Sequence, residues 1–212
     1  MNKALALFTL SLSVMSITQA NQEHEKASPP ESPLIQPLAE AAWNDKQKQL
    51  FDFLKSVDPD AKKPQNMLQT IAHHQKLLDV FMPMASQLGA TTTMPRRELE
   101  LLALRTAWRA QSEYEWVHHY DYGLEAGLSE AEMASLLQES PEWPWSDSDL
   151  LLIRTADELV TGLQVSPESM RDLIAQYNSE EVIEIIFVVN QYNSLSKFAN
   201  SLGMSLESGY SE

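Results

Sequence analysis

Apolar residues recur at spacings of three and four along nearly the whole chain after residue 37, and this helical period constrains the fold most strongly. The clearest examples are the leucine-rich segment at 97–108 and the long run at 182–202. No segment alternates apolar and polar residues as a half-buried strand does, and no short-period repeat is present. We therefore predict an all-α fold, with one domain over residues 38–207 and a short tail at 208–212.

Capping residues and glycines predict where the helices begin and end. Ser129 and Glu132 have the spacing of a capping box, and Gly127 and Gly203 are placed to end helices. Further predicted starts are Asn66 as an N-cap, Thr93 as a cap with Pro95 in the first turn, and either Asp147 or Ser148 as a cap.

The first twenty residues have the pattern of a secretory signal peptide. Lys3 precedes an uncharged apolar run at 4–17, and residues 18–20 form a small-residue cleavage site. A membrane anchor is the alternative, but the run is shorter than the roughly 20 residues that a spanning helix needs. We expect a periplasmic or secreted protein that has no membrane segment after cleavage, with an extended or disordered, proline-rich stretch at 21–37.

The formal charge of −15 and the absence of cysteine exclude several classes of function. A strongly acidic surface repels nucleic acid and anionic lipid, so neither is an expected partner. Thiol peroxidase and disulfide-exchange reactions need a thiolate, which a chain without cysteine cannot supply. Export also argues against ATP or reduced nicotinamide as cosubstrates, and we expect no cofactor.

The segment from Ser112 to His119 carries the residues best suited to chemistry. If it is helical, Glu115 and His119 lie one turn apart on one face, close enough to share a proton. Trp108, Ser112 and Tyr122 extend the same stripe. A carboxylate beside an imidazole is a minimal acid–base unit. The alternative is a surface Glu–His pair beside a buried tyrosine hydroxyl.

A second predicted helix, from Pro95 to Ala110, carries Glu98, Glu100 and Arg105. If it packs against the first, one of its carboxylates can reach the imidazole and fix the ring tautomer. The guanidinium of Arg105 is suited to bind a carboxylate of the substrate in a bidentate manner. Equally, Arg105 can form an ion pair with Glu98 or Glu100.

Two histidine pairs raise the question of a metal site. Glu115 and His119 could ligate one ion, with His73 or His74 as a third ligand. The chain has no tight metal-binding motif such as HExxH, so we predict no metal. We expect His73 and His74 to lie at a helix end instead.

Three segments together resemble the carboxymuconolactone decarboxylase family, which shares its fold with alkylhydroperoxidase D. They are residues 97–105, 112–119 and 125–129, which read RELELLALR, SEYEWVHH and EAGLS. Similar segments occur elsewhere in the chain, at 66–78, 157–159 and 188–192. The resemblance covers about residues 37–207. It implies an all-α fold around a central helical hairpin, assembled as a homo-oligomer of three or six chains.

The resemblance also implies a set of site residues. In the peroxidase branch of the family, a Cys-x-x-Cys-x-x-x-His motif works with an upstream glutamate. Here Ser112 and Glu115 stand at the cysteine positions, His119 stands at the histidine, and the upstream glutamate falls on Glu100. The chain therefore resembles the cysteine-free branch near the decarboxylases, which act on small carboxylated lactones without cofactors.

From these observations we predict a cofactor-free acid–base enzyme of the lyase, isomerase or hydrolase type, acting on a small organic acid or lactone. His119 would be the main base or acid, Glu100 would orient it, and Glu115 would be a second acid–base group. The predicted substrate contacts are Ser112, Tyr114, Tyr122, Arg105 and Trp116. The alternative is a non-catalytic small-molecule-binding or scaffold protein that retains the fold.

Overall fold

The computed structural model describes residue 30, residues 32–57 and residues 65–207. The predicted signal peptide, most of the stretch at 21–37 and the tail at 208–212 lie outside these residues. The described parts are helical and contain no strand, which confirms the all-α prediction. No helix within them combines the length and the apolar character needed to cross a membrane.

A short 3₁₀ turn at Glu40–Ala42 precedes the α-helices of the described chain. These are α1 (Asp45–Val57), α2 (Asn66–Ile71), α3 (Gln75–Gly89), α4 (Arg96–Arg109), α5 (Glu113–Glu125), α6 (Glu130–Leu136), α7 (Asp147–Thr161), α8 (Pro167–Gln176) and α9 (Ser179–Leu202).

Helix α4 lies at the centre of the fold and packs against α5, α7 and α9. Every residue from Leu99 to Ala107 is buried, which is possible because other helices surround α4 on several sides. Three of these buried residues, Glu100, Arg105 and Thr106, are polar. Since an unpaired buried charge is strongly unfavourable, Glu100 and Arg105 each require a partner.

Several helix ends agree with the sequence and three do not. The capping box of Ser129 and Glu132 is present, and Gly203 closes α9 with φ of 59°, in the left-handed region that glycine tolerates. The predicted caps at Asn66, Thr93 and Asp147 or Ser148 are wrong. Asn66 is the first residue of α2, Pro95 is the N-cap of α4, and Ser146 caps α7 by accepting a hydrogen bond from the Asp149 amide.

Thr93 has a different role from the predicted cap. Its amide and hydroxyl both donate to Glu184 on α9, at 2.9 and 2.5 Å. Burial alone would raise the pKa of Glu184, but the hydrogen bonds from Thr93 and Thr92 outweigh it and lower that pKa. These contacts fix the connection between α3 and α4 to α9.

Candidate active site

Glu100 and His119 form the centre of a buried polar site between α4 and α5. The Nδ1 atom of His119 lies 2.6 Å from Oε2 of Glu100, and a side-chain nitrogen of Arg96 lies 2.6 Å from Oε1. On the other side of the ring, Nε2 of His119 lies 3.6 Å from Oε2 of Glu115. The imidazole therefore stands between two carboxyl groups, of which one is charge-balanced by arginine.

Local helix geometry accounts for most of this arrangement. Arg96 and Glu100 are four residues apart on α4, and Glu115 and His119 are four residues apart on α5, so each pair shares a helix face. The short connection between the two helices passes through Gln111, which has a positive φ of 56°. Packing of α4 against α5 then joins the two pairs through the contact between Glu100 and His119.

Glu115 and His119 are enclosed but not sealed. Their side chains are 7 % and 10 % exposed, whereas the Glu100 side chain is completely buried. Burial raises the pKa of Glu115, and the nearby His119 and His118 offset only part of this effect. The Glu115 carboxyl thus keeps its proton to a higher pH than an ordinary glutamate does. Nε2 of His119 faces this carboxyl.

Replacing Glu115 with glutamine should stabilise the protein, and increasingly so as the pH rises above 4.5. The unfolded chain releases this proton near the ordinary pKa of 4.5, but the folded state retains it. The glutamate therefore costs stability as the pH rises from that value to the folded pKa, and neutral glutamine removes the cost. Urea unfolding at several pH values measures the difference. If the variant showed the same pH dependence as the wild type and as the exposed control Glu113→Gln, Glu115 would ionise normally.

Two tyrosine rings flank the imidazole. Tyr192 of α9 meets the His119 ring edge-on at 4.6 Å between ring centres, and Tyr122 meets it at 6.0 Å. Burial, followed by the charges of Glu100 and Glu115, raises the pKa of Tyr192, so its phenol remains protonated. The sequence analysis missed Tyr192, because nothing local indicates that α9 reaches this site. The sequence analysis also missed the ion pair between Arg96 and Glu100, although a spacing of four residues on one helix indicates such a pair.

Arg105 does not lie in the site, and its predicted role as a substrate anchor is wrong. Its guanidinium is completely buried and forms a bidentate pair with Asp157 of α7, at 2.6 and 2.7 Å. The predicted alternative partners, Glu98 and Glu100, are wrong as well. Arg105 also stacks at 4.4 Å on Trp108, which belongs to α4 and not to the α5 stripe. Its remaining hydrogen bonds go to the carbonyl groups of Leu136, Gln138 and Glu139.

Three other predicted substrate contacts have structural roles. Ser112 is the buried N-cap of α5 and accepts a hydrogen bond from the Glu115 amide. The hydroxyl of Tyr114 donates to Glu207 and accepts from the Met67 amide, at 2.7 and 3.0 Å. Trp116 is partly buried and packs against the main hydrophobic core. Of the five predicted contacts, Tyr122 is the one that adjoins His119 through its ring.

A second buried polar cluster surrounds Glu207, near the end of the described chain. Its carboxylate oxygens lie 2.7 Å from the Tyr114 hydroxyl and 2.7 Å from Nε2 of His118, and one of them accepts the Asn66 amide. Burial disfavours the charged imidazole, but the hydrogen bond and charge of Glu207 outweigh it and raise the pKa of His118. Burial also acts against the carboxylate, yet His118 and the other donors lower the pKa of Glu207.

Replacing Glu207 with glutamine should lower the free energy of unfolding by roughly 1.5–3 kcal/mol, the range for hydrogen bonds to charged groups. The His118 contribution is complete below its ordinary pKa of 6.5 and is lost as the pH rises through the higher folded value. The Glu207 contribution is complete above 4.5 and is lost as the pH falls through the lower folded value. The loss should therefore be largest between pH 4.5 and 6.5. Urea unfolding across this range checks it, and a loss that does not vary with pH would contradict the ion pair.

The other histidine pair has contacts of its own. Nε2 of His73 lies 3.0 Å from the Gln36 carbonyl, and Nδ1 of His74 accepts the Leu77 amide as the N-cap of α3. These histidines thus lie between α2 and α3, at a helix end. Among the residues that the structure describes, no three His, Cys, Asp or Glu side chains are grouped so that they could hold a metal ion.

Comparison with known proteins identifies the fold. No protein-family model matches the chain, and no curated protein matches its sequence. A solved structure of an uncharacterized peroxidase-related protein from Silicibacter sp. TM1040 superposes with a TM-score of 0.74 at 16 % identity, over 86 % of this chain and 95 % of that one. An uncharacterized peroxidase-related protein with an alkylhydroperoxidase AhpD core, from Ralstonia eutropha JMP134, superposes with a TM-score of 0.71 at 17 % identity, over 83 % of this chain and 94 % of that one.

A debrominase has a similar structure. An alanine variant of the debrominase Bmp8, in complex with 2,3,4-tribromopyrrole, superposes with a TM-score of 0.68 at 14 % identity, over 84 % of this chain and 94 % of that one. At these identities the likeness establishes the fold. The chain therefore has an alkylhydroperoxidase D-like fold, as its resemblance to the carboxymuconolactone decarboxylase family implies.

Proposed function

We propose that this protein is a cofactor-free enzyme that moves protons on a small organic molecule held beside His119 and Glu115. The observation that supports this most strongly is the placement of the imidazole between a charge-balanced carboxylate at 2.6 Å and a buried carboxyl at 3.6 Å. Such a unit has a base and an acid with different environments, which is the requirement for general acid–base catalysis.

We assign each group a role that fits its contacts. Glu100 accepts the Nδ1–H of His119, which leaves the Nε2 lone pair as the base that takes a proton from the substrate. Arg96 neutralises Glu100, so the positive charge that develops on the ring is balanced by the Glu115 carboxylate that forms when Glu115 gives up its proton. Burial raises the pKa of Glu115, so we assign its carboxyl as the acid that donates a proton to the substrate atom that gains negative charge. The products leave after His119 returns a proton to Glu115.

The charges around the site favour an uncharged substrate. Arg105 forms an ion pair with Asp157, and Arg96 forms one with Glu100, so neither offers an unpaired guanidinium to a carboxylate of the substrate. Without an unpaired cation, this buried site would take up an anion only at a large desolvation cost. We therefore favour a lactone or another small carbonyl compound over a free organic acid. The complex of the structurally similar debrominase with tribromopyrrole supports binding of a small organic ring by this fold.

The location and assembly of the protein are proposed on separate grounds. The pattern at residues 1–20 supports export to the periplasm or the medium. Exposed apolar side chains on α3 and α9, among them Val80, Ile183 and Phe187, support assembly as a trimer or hexamer. A monomeric mass by light scattering would contradict this assembly.

A panel of lactones and small carbonyl compounds in D₂O tests the proposed activity. Proton NMR reports both conversion and deuterium exchange at carbon, for the wild type, His119→Asn and Glu115→Gln. The control is Glu113→Gln, an exposed carboxyl two positions from Glu115 on the same helix. Activity that is lost in both site variants and retained in the control supports the proposal. A compound that binds beside His119 without conversion or exchange would favour the alternative, a non-catalytic binding protein.

A further inference from the structure

The hydroxyl group of Tyr192 is a hydrogen-bond donor that the proposed proton transfer does not use. The Tyr192 ring meets the His119 ring edge-on at 4.6 Å, and Glu100 and Glu115 are the charged groups that act most strongly on the phenol. Tyr192 is only 6 % exposed, yet its hydroxyl has no hydrogen-bond partner among the residues that the structure describes. Buried hydroxyl groups are normally paired, so this one indicates a missing acceptor.

Open space lies in front of this hydroxyl, beside Gly89 at the end of α3. A Cβ atom added to Gly89 would meet one atom of another segment within 4 Å, the Tyr192 hydroxyl oxygen at 4.0 Å. The hydroxyl oxygen is accessible from this space, and Gly89 itself is partly exposed. The Gly89 carbonyl accepts a hydrogen bond of 2.5 Å from Arg96, which also pairs with Glu100. The end of α3 is thus held against the site, with room for a ligand beside the hydroxyl.

We propose that Tyr192 binds the substrate, by donating its hydroxyl hydrogen to a carbonyl oxygen that lies in the space beside Gly89. This inference rests on the proposed function, because it takes the molecule beside His119 and Glu115 as the substrate. It narrows the substrate class to small neutral ketones and lactones, whose carbonyl oxygen is an acceptor that the phenol can pair with.

The same contact assists the proton transfer. When Nε2 of His119 takes a proton from the carbon next to the carbonyl, the C–H electron pair stays with the substrate and negative charge develops on the carbonyl oxygen. A carbonyl oxygen has two lone pairs, so it accepts the hydrogen bond of Tyr192 while Glu115 gives it a proton. The Tyr192 hydrogen bond becomes stronger as the charge develops, which stabilises the transition state.

Cyclopentanone labelled with ¹³C at its carbonyl group and methylenecyclopentane are matched probes of this contact. The two rings have nearly the same shape, and only the ketone has an acceptor. We expect the full-length wild type to bind the ketone and to shift its ¹³C signal to higher frequency, as hydrogen bonding to a carbonyl does. A ketone signal that the wild type leaves unchanged would overturn the proposal.

Tyr192→Phe removes the donor and retains the ring. It should abolish the ¹³C shift and weaken ketone binding about 3- to 10-fold, the effect of one neutral hydrogen bond, while binding of methylenecyclopentane stays the same. The urea midpoint should not fall, because the hydroxyl has no partner in the described part of the chain. Tyr177→Phe is the control, since Tyr177 is the C-cap of α8 and not part of the site. Equal weakening of both probes, or a shift that persists in Tyr192→Phe, would contradict the donor role.

Deuterium exchange at the carbons next to the carbonyl, measured on the same samples in D₂O, separates this inference from the proposed function. A shifted carbonyl signal without exchange above the rate in buffer would support the Tyr192 contact and contradict the acid–base activity. Exchange that is lost in His119→Asn and is unaffected by Tyr192→Phe would support the activity and overturn the contact.

Gly89→Leu tests the location of the bound carbonyl. Leucine suits a helix, and its side chain should fill the space in front of the hydroxyl, so the ketone should no longer bind. Gly89→Ala is the control, because its methyl group would lie at an ordinary contact distance of 4.0 Å from the hydroxyl oxygen. Circular dichroism checks that both variants fold. Ketone binding of wild-type strength in a folded Gly89→Leu variant would overturn the proposed location.

Discussion

Replacing Arg105 with alanine should lower the free energy of unfolding by about 3–5 kcal/mol, the range for breaking a buried ion pair. The substitution removes the bidentate partner of Asp157 and the donors of three backbone carbonyl groups in one step. It also removes the cation stacked on Trp108. Equilibrium unfolding in urea measures the loss, and we expect a lower midpoint with an unchanged slope.

Arg154→Ala is the matched control for this experiment. Arg154 also pairs with an aspartate, Asp172, at 2.6 Å, but the two side chains are 42 % and 48 % exposed. An exposed pair contributes about 1 kcal/mol or less, so this variant should unfold almost like the wild type. If the two variants lost equal stability, the ion pair of Arg105 with Asp157 would not be required by the fold. The prediction that Arg105 binds a substrate carboxylate would then have to be tested directly.

His119→Asn should lower kcat about 10²- to 10⁴-fold on any compound that the protein converts, the usual contribution of a general base. Asparagine retains an amide N–H that can still bond to Glu100 but has no basic nitrogen in place of Nε2. The fold should therefore survive the change. Glu100→Gln should have a smaller effect, because Glu100 orients the ring and does not exchange protons with the substrate. Circular dichroism and steady-state kinetics, with Glu113→Gln as the control, check both expectations.

A loss of less than 10-fold in His119→Asn, with the fold intact, would contradict a base at this position. A loss of equal size in Glu100→Gln would indicate that the glutamate takes part in the proton transfer itself. The pH profile separates these cases, because removal of the base abolishes its limb of the profile.

The parts of the site that local spacing governs could be predicted from the sequence. Glu115 and His119 share a face of α5, and Glu100 contacts the ring as the family resemblance implies. The contact between Glu100 and His119 also requires α4 to pack against its sequence neighbour α5. Helix geometry determines which side chains share a face, so the relation between Glu115 and His119 does not depend on the rest of the chain. The all-α architecture and the Ser129 capping box could be predicted for the same reason.

The parts that depend on distant segments could not be predicted. The sequence predicts that Arg105 binds a substrate carboxylate or a glutamate of its own helix, but its partner Asp157 lies 52 positions away and reaches it only because α7 packs on α4. The sequence predicts Tyr114 as a substrate contact, but its hydroxyl binds Glu207, which lies 93 positions away and whose proximity no local pattern indicates. Tyr192 comes from α9, whose side-chain pattern reads as ordinary core. A sequence pattern gives the residue type and the helix face, whereas tertiary packing decides the partner.

The protonation state of the His119 ring tests the central claim most directly. The claim is that Nδ1 of His119 carries the proton and donates it in a hydrogen bond to Oε2 of Glu100, 2.6 Å away. The other ring nitrogen, Nε2, is then unprotonated and faces Glu115. Two-bond ¹H–¹⁵N correlation spectra of the imidazole distinguish the tautomers, and His119→Asn identifies the signals. We predict a ring protonated at Nδ1 in the wild type and a mixture of tautomers in Glu100→Gln. A wild-type ring protonated at Nε2 would contradict the proposed proton-transfer site.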